Sequence, residues 1–182
     1  RACGERDLQI HPVRLGAPLG AGGDARAVVA LPPEALLGGA HAYEPASPVM
    51  AYVVMENIAV TQGRVFVIAR ANMSASTLGM LGNAYPPFFR VKTPWGEQVY
   101  RIGDRETSPL EQWPDPFTFV HYPSGQNLAY QDSRNMNRTF PGRPDGNLTE
   151  RTSFAISELI RRERIDLTID GVVEDLVFPA PR

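Results

Sequence analysis

Short apolar runs separated by turn residues predict buried strands. Residues 63–69, Gly-Arg-Val-Phe-Val-Ile-Ala, are apolar enough to be covered on both faces of a sheet. Residues 25–31 are also apolar and stop at a proline pair, and residues 35–39 end in a glycine pair that predicts a tight exit. Residues 165–170 alternate between apolar and polar side chains, which predicts one more parallel strand.

Helical spacing begins after the predicted strand at residues 35–39. Met50, Val53 and Val54 follow one another at helical intervals, and Ser47 with Pro48 predicts a cap and a first-turn proline. We therefore expect a helix from Pro45 or Pro48 to about residue 56.

A second helix is predicted after residue 146. Asn147 is a favoured N-cap residue, and Glu150 at the third helical position completes a variant of the capping box. The predicted apolar stripe comprises Thr152, Ala155, Ile156, Leu159 and Ile160. The predicted solvent face comprises Arg151, Glu158, Arg161 and Arg162.

The order strand, helix, strand predicts a βαβ unit and hence a parallel sheet with helices packed on it. The fold class expected is α/β, with a mostly parallel or mixed central sheet. Between residues 72 and 131 the periodicity is lost and prolines, glycines and aromatic residues dominate. Because a structureless loop of that length is uncommon in a compact domain, we expect an insertion with short strands and turns of its own.

Composition limits the possible partners. The 182 residues, 43% of them hydrophobic and 21% charged, fit one soluble domain spanning residues 1–182. A formal net charge of -2 argues against general binding of nucleic acid or anionic membrane, and no apolar run approaches the length of a membrane span. Cys3 is the only cysteine, so a metal site would need other ligands. The cytoplasm is the default compartment expected.

His41 and Glu44 are the first candidates for chemistry. Catalytic zinc sites use neutral imidazole and carboxylate oxygen as ligands, and typically leave one position open. A His at the carboxyl end of a strand and a Glu in the next helical turn would both face the crevice where open α/β sheets bind ligands. The alternative is a carboxylate that stabilises a helix N-terminus beside an unrelated His.

Arg134, Asn137 and Arg138 form a second group. Guanidinium groups bind carboxylates through two parallel hydrogen bonds, and an amide adds orientation. The pattern is typical of an anion clamp, and the alternative is a polar loop with solvated arginines.

The chain resembles the succinylglutamate desuccinylase/aspartoacylase family, which is related to the zinc carboxypeptidases. The resemblance lies in five ordered segments: Gly-Gly-Ala-His-Ala-Tyr-Glu-Pro at 38–45, Gly-Arg-Val-Phe-Val-Ile-Ala-Arg-Ala-Asn at 63–72, Arg-Asn-Met-Asn-Arg-Thr-Phe-Pro-Gly at 134–142, Leu-Thr-Glu-Arg at 148–151 and Ile-Asp-Leu-Thr-Ile-Asp at 165–170. It implies a zinc-carboxypeptidase-like fold in which residues 72–131 are an insertion.

The resemblance also implies roles for individual residues. His41 and Glu44 would bind zinc, while Asn137 and Arg138 would hold the carboxylate of a small-molecule substrate. Arg134 would be a looser candidate for polarising the scissile carbonyl.

The pattern departs from the family near the end of the chain. The family's third zinc ligand is a His at the position that Val172 occupies, and no histidine follows His121. The family's general base lies farther on, so no catalytic base is assigned. We expect either a member incomplete at its C-terminus or a degenerate one. His121 and His11 are expected to be bystanders, His121 with a local hydrogen bond.

Three functions follow as hypotheses. The first is zinc-dependent hydrolysis of the amide bond of an N-acyl amino acid or a similar carboxylate-bearing substrate. The second is a non-catalytic carboxylate-binding module, and the third is a carboxypeptidase-like metallopeptidase.

Overall fold

The computed structural model describes residues 11–12, 27–30, 33–78, 87–94 and 96–171. The elements in chain order are β1 (His11–Pro12), β2 (Ala27–Ala30), β3 (Glu34–Leu37), α1 (Ala46–Asn57), β4 (Ile58–Gln62), β5 (Val65–Ile68), α2 (Met73–Thr77), β6 (Phe88–Thr93), β7 (Gly96–Arg101), β8 (Phe119–Val120), β9 (Asn127–Leu128), two 3₁₀ helices (Tyr130–Arg134 and Met136–Arg138), α3 (Leu148–Glu163) and β10 (Leu167–Asp170).

Within the described residues, the main sheet has four strands in the order β1-β5-β3-β10. β3 pairs in parallel with β5 on one side and with β10 on the other, whereas β1 pairs antiparallel with β5. The predicted α/β class and the three parallel strands are therefore confirmed, and β1 makes the sheet mixed.

Helices cover the two faces of this sheet. Successive residues of a strand point to opposite faces, and Leu36 and Leu37 of β3 enter two different apolar clusters. Leu36 packs with Ala51 of α1, and Leu37 packs with Ile156 of α3. The carboxyl ends of β3 and β5 thus emerge between two helical layers.

The strand β4 was missed by the sequence interpretation. It starts immediately after α1 without a loop and pairs in parallel with β2, forming a separate two-stranded sheet. Its five residues, Ile-Ala-Val-Thr-Gln, are too few to give a clear alternating pattern.

The bounds predicted for α1 are confirmed, but its predicted cap is wrong. The helix begins at Ala46, and Pro45 occupies the cap position without a side-chain hydrogen bond. Ser47 lies in the first turn, where its buried Oγ accepts a hydrogen bond from the Gly39 backbone N–H at 2.8 Å. Its hydroxyl therefore attaches the helix to the exit of β3.

The capping box of α3 is confirmed, and its apolar stripe is partly wrong. The Asn147 side chain accepts from the Glu150 N–H, and the Glu150 carboxylate accepts from the Asn147 N–H. Ala155 is exposed, whereas Thr149 and Ser153 are fully buried. Hydrogen bonds to distant residues allow these two hydroxyls to be buried, and a hydropathy pattern cannot show that.

Residues 72–131 contain α2 and two short hairpins, β6 with β7 and β8 with β9. This confirms the short strands expected there, while the bounds of an insertion stay a prediction. In the part of the chain described, no helix combines the length and apolar character needed to cross a membrane.

Candidate functional site

The turn that bears His41 begins at the carboxyl end of β3. The Ala71 N–H donates to the Gly38 carbonyl at 2.8 Å and the Asn72 N–H donates to the Gly39 carbonyl at 3.0 Å. Gly39 has a φ of +68°, and a Cβ there would lie 3.2 Å from the Ala69 carbonyl oxygen. The positive φ and the tight contact together favour glycine at this close approach of the two strand exits.

His41 and Glu44 lie against each other in this turn. His41 is 1% exposed, and its Nδ1 is 2.9 Å from Glu44 Oε1. The structure therefore brings the two predicted zinc ligands together, with the Glu44 carboxylate on the Nδ1 side of the His41 ring.

Asn135 occupies the other side of the ring. Its Oδ1 lies 2.9 Å from His41 Nε2 and also accepts the backbone N–H of Asn137 at 3.1 Å. Because the backbone N–H can only donate, Asn135 presents oxygen here, and His41 Nε2 must carry the hydrogen. The remaining nitrogen, Nδ1, faces the Glu44 carboxylate.

This geometry fits two ligands of a zinc ion. In a tetrahedral zinc complex neighbouring N and O ligands are about 3.4 Å apart, given metal–ligand distances near 2.1 Å. The 2.9 Å separation of Nδ1 and Oε1 would have to open by about half an ångström to admit the ion. Ligating histidines usually donate their other N–H to an oxygen, as His41 does to Asn135. Among the residues described, no group of three or more His, Cys, Asp and Glu could hold a metal, and Val172 lies outside them.

Asn137 and Arg138 follow in the second 3₁₀ helix. Asn137 is partly buried, and the exposed guanidinium of Arg138 makes a long contact of 3.5 Å with the Asn137 carbonyl. Asn135, two residues earlier, contacts His41 directly, so both predicted parts of the site are joined at this point. The carboxylate-binding role of Asn137 and Arg138 stays a prediction.

Arg134 is held by two carboxylates. Its Nη2 lies 3.3 Å from Glu106 Oε2, and its Nε lies 3.4 Å from Asp115 Oδ1 in an ion pair without hydrogen-bond geometry. The side chain is 13% exposed. Its predicted role toward a substrate carbonyl stays a prediction, and the structure adds an attachment to residues 106 and 115.

Burial raises the pKa of Glu106 above its ordinary value of 4.5. The Arg134 guanidinium opposes this shift, and the nearby carboxylates of Asp104 and Asp132 add to it. The charge on Glu106 is thus stabilised by Arg134 and, less strongly, by Arg105, and it is disfavoured by burial and by the two neighbouring carboxylates.

The other histidines lie elsewhere. His121 Nδ1 is 2.7 Å from Ser124 Oγ, and its Nε2 is 2.9 Å from the Phe140 carbonyl oxygen, so the expected local hydrogen bond is confirmed. His11 belongs to β1, where its backbone pairs with Val67.

Asn135 was missed as a site residue, although it lies inside the segment singled out at 134–142. A buried histidine ligand needs an oxygen for its second nitrogen, and this requirement could have directed attention to the side chains next to Asn137. Nothing in the sequence spacing shows which of them reaches His41, 94 residues away.

No protein-family model and no curated protein match the sequence. Solved structures similar to the chain include a succinylglutamate desuccinylase/aspartoacylase from Rhodobacter sphaeroides, with 18% identity and a TM-score of 0.45. An aspartoacylase family protein from Mesorhizobium loti has 22% identity and a TM-score of 0.42. The ectoine utilization protein EutE (DoeB) from Ruegeria pomeroyi has 20% identity and a TM-score of 0.41.

These alignments cover 76–78% of this chain and 29–30% of the solved ones. The chain thus spans less than a third of the length of these proteins. Overlap at TM-scores below 0.5 is too loose to transfer a site or an activity. The chain is thus similar to one solved protein named succinylglutamate desuccinylase/aspartoacylase and to another named as an aspartoacylase family protein.

Proposed function

We propose that the chain contains the metal-binding turn and the carboxylate-binding loop of a zinc-dependent hydrolase that cleaves the amide bond of an N-acyl amino acid or a similar carboxylate-bearing substrate. The observation that supports this most directly is the buried arrangement of Glu44, His41 and Asn135. It aligns one imidazole between a carboxylate and an amide oxygen, and it lies beside the predicted anion clamp.

His41 and Glu44 would hold the metal, and Asn135 would keep the His41 ring in the orientation that points Nδ1 at it. Zinc, when bound at such a site, would polarise a carbonyl group and would lower the pKa of a water molecule so that the water can attack near neutral pH. The metal-binding contribution of this chain is two ligands within the residues described.

Asn137 and Arg138 would bind the substrate's carboxylate. The exposed guanidinium of Arg138 is open to a ligand and can donate two parallel hydrogen bonds. Fixing the carboxylate orients the amide bond relative to His41 and Glu44, which lowers the entropic part of the barrier. The clamp selects for a carboxylate and leaves the acyl group undefined.

Turnover of a substrate panel in the presence of zinc tests this proposal. We expect release of free amine from N-acyl amino acids, abolished in His41→Ala. In Arg138→Ala the affinity for the carboxylate-bearing substrate should fall about tenfold to a hundredfold, the usual loss for a charged hydrogen bond. Arg161→Ala, on the solvent face of α3, is the matched control and should bind as wild type does.

Other outcomes would replace the proposal by one of the two alternatives. Cleavage of C-terminal residues from peptides, with N-acyl amino acids left intact, would indicate a carboxypeptidase-like enzyme. Carboxylate binding that needs Arg138 but neither zinc nor His41, without turnover of any substrate, would indicate a non-catalytic binding module.

A further inference from the structure

We propose that residues 103–108 position the His41–Glu44 turn against Asn135. These residues belong to the irregular region between the main sheet and residues 130–142, which we call the site loop. We call residues 103–108 the brace. Its description as part of a working site depends on the proposed function, whereas its effect on the geometry of His41 and Asn135 does not.

One end of the brace pairs with the turn. The Gly103 N–H donates to the Ala42 carbonyl at 3.0 Å, and the Ala42 N–H donates to the Asp104 carbonyl at 3.0 Å. The Asp104 N–H donates in turn to the Ala75 carbonyl at 2.9 Å. Since Ala42 directly follows His41, this reciprocal pair of hydrogen bonds restricts the backbone that carries the imidazole.

The other end contacts the site loop. The Thr107 N–H donates to the Arg134 carbonyl at 2.9 Å, and the Glu106 carboxylate lies 3.3 Å from the Arg134 guanidinium. Because Arg134 directly precedes Asn135, these contacts restrict the backbone that carries the partner of His41 Nε2.

The middle of the brace is buried in a network of side chains. Thr107 is 1% exposed, and its Oγ1 lies 3.1 Å from Asn72 Nδ2 and 2.7 Å from Thr149 Oγ1. The Asn72 N–H is bound to the Gly39 carbonyl at the exit of β3, and Thr149 belongs to the first turn of α3. The brace is therefore attached to the sheet and the helix as well as to both parts of the site.

Gly103 leaves no room for a side chain. A Cβ at this position would lie 2.4 Å from the Ala75 carbonyl oxygen and 2.6 Å from Ala42 Cβ. A methyl group would force the brace and the turn apart at the residue next to His41. Gly125, in the β8–β9 turn, offers a control, because a Cβ there has nothing within 4 Å although its φ is +72°. Gly125→Ala strains its own backbone without displacing the His41–Glu44 turn.

Hydrogen exchange in the metal-free protein tests the brace. NMR would follow the His41 Nε2–H and the Asn137 amide, which both donate to Asn135 Oδ1. In Gly103→Ala we expect both hydrogens to exchange about tenfold faster or more, because the geometry of their shared acceptor is lost. In Gly125→Ala both rates should stay as in wild type.

Variants of Thr107 decide the question if Gly103→Ala does not fold. Thr107→Val removes the hydroxyl that holds the middle of the brace and should accelerate both exchanges, whereas Thr107→Ser retains the hydroxyl and should not. Equal rates in Thr107→Val and Thr107→Ser, or in Gly103→Ala and Gly125→Ala, would overturn the proposal. Because the readout needs neither zinc nor substrate, failure of the hydrolase proposal would be seen separately, in the metal-binding and turnover measurements.

Discussion

The turn at residues 41–44 and the site loop at residues 130–142 meet at one imidazole but are built in different ways. The turn leaves a buried parallel strand, and backbone hydrogen bonds to the exit of the neighbouring strand fix its start. The site loop contains two short 3₁₀ helices, and many of its restraints are side-chain contacts from other parts of the chain.

Contacts of the loop illustrate this difference. The Ser133 carbonyl accepts hydrogen bonds from the side chains of Gln112 and Asn147, and Thr139 Oγ1 lies 2.7 Å from Ser153 Oγ. Gly142, at the end of the segment, packs on the backbone of α3. The turn depends mainly on the regular sheet, while the loop depends on buried polar groups supplied from several distant positions.

The packing of Gly142 gives the largest expected effect. A Cβ there would lie 2.1 Å from the Glu150 carbonyl oxygen, and φ is +75°. Gly142→Ala should lower the free energy of unfolding by about 3 kcal/mol, the sum of overpacking and left-handed backbone strain. Gly125→Ala, with a similar φ and open space, should lose only about 1 kcal/mol. Urea unfolding measures both, and equal losses would show that the loop does not need close contact with α3.

Removal of the Thr107 hydroxyl comes next. Thr107→Val leaves Asn72 Nδ2 and Thr149 Oγ1 without this partner in a buried site, and should lower the free energy of unfolding by about 2 kcal/mol. Thr168→Val on the exposed strand β10 is the control, with a change within about 0.5 kcal/mol. If both variants unfold at the same urea concentration, the buried network does not stabilise the loop.

Ser47 probes the turn instead of the loop. Ser47→Ala deletes the acceptor of the buried Gly39 N–H and should lower the free energy of unfolding by about 1 kcal/mol. Ser157→Ala removes hydroxyl contacts in a partly exposed setting and should have a smaller effect. Thermal unfolding compares the two, and a larger loss in Ser157→Ala would contradict the assignment of Ser47 as the attachment of α1.

The smallest effect concerns pH and Glu106. Because burial raises its folded-state pKa above the ordinary 4.5, the folded protein binds this proton more tightly than the unfolded chain does. The resulting stabilisation is fully present below pH 4.5 and is lost as the pH rises through the folded-state pKa. As the pH rises from 4.5 through the folded-state pKa of Glu106, the free energy of unfolding of wild type should therefore fall relative to that of Glu106→Gln. Urea unfolding at a series of pH values would show this.

Glu158 supplies a control of opposite sign. Its hydrogen bond to Arg161 lowers the pKa of this carboxyl, so its stabilisation is present above 4.5 and lost as the pH falls through the folded-state value. Wild type should gain stability over Glu158→Gln as the pH rises. If the stability of wild type relative to each variant changed with pH in the same direction for Glu106→Gln and Glu158→Gln, the raised pKa of Glu106 would be contradicted.

Local patterns predicted the elements that regular hydrogen bonding determines. The parallel strands β3, β5 and β10, the extent of α1 and the capping box of α3 all follow from apolar runs and cap residues. The same reasoning brought His41 and Glu44 to one turn, because they are three residues apart at the end of a strand.

What could not be predicted depends on long-range partners. Asn135 and His41 are 94 residues apart, and the attachment of Arg134 to Glu106 crosses the irregular region between the sheet and the loop. Ser47 was assigned as a cap because its residue type favours that position, yet its hydroxyl binds Gly39. Side chains of small polar residues have several satisfactory partners, and only the tertiary arrangement selects one.

Zinc content of the purified chain, measured by elemental analysis after equilibration with zinc and dialysis, tests the central claim most directly. Wild type and His121→Ala should retain about one equivalent, and His41→Ala less than about a tenth, because a ligand nitrogen is lost. His121 is the matched control, since its ring nitrogens bind Ser124 and Phe140 instead. Less than about a tenth of an equivalent in wild type, or undiminished zinc in His41→Ala, would contradict a metal site at His41 and Glu44.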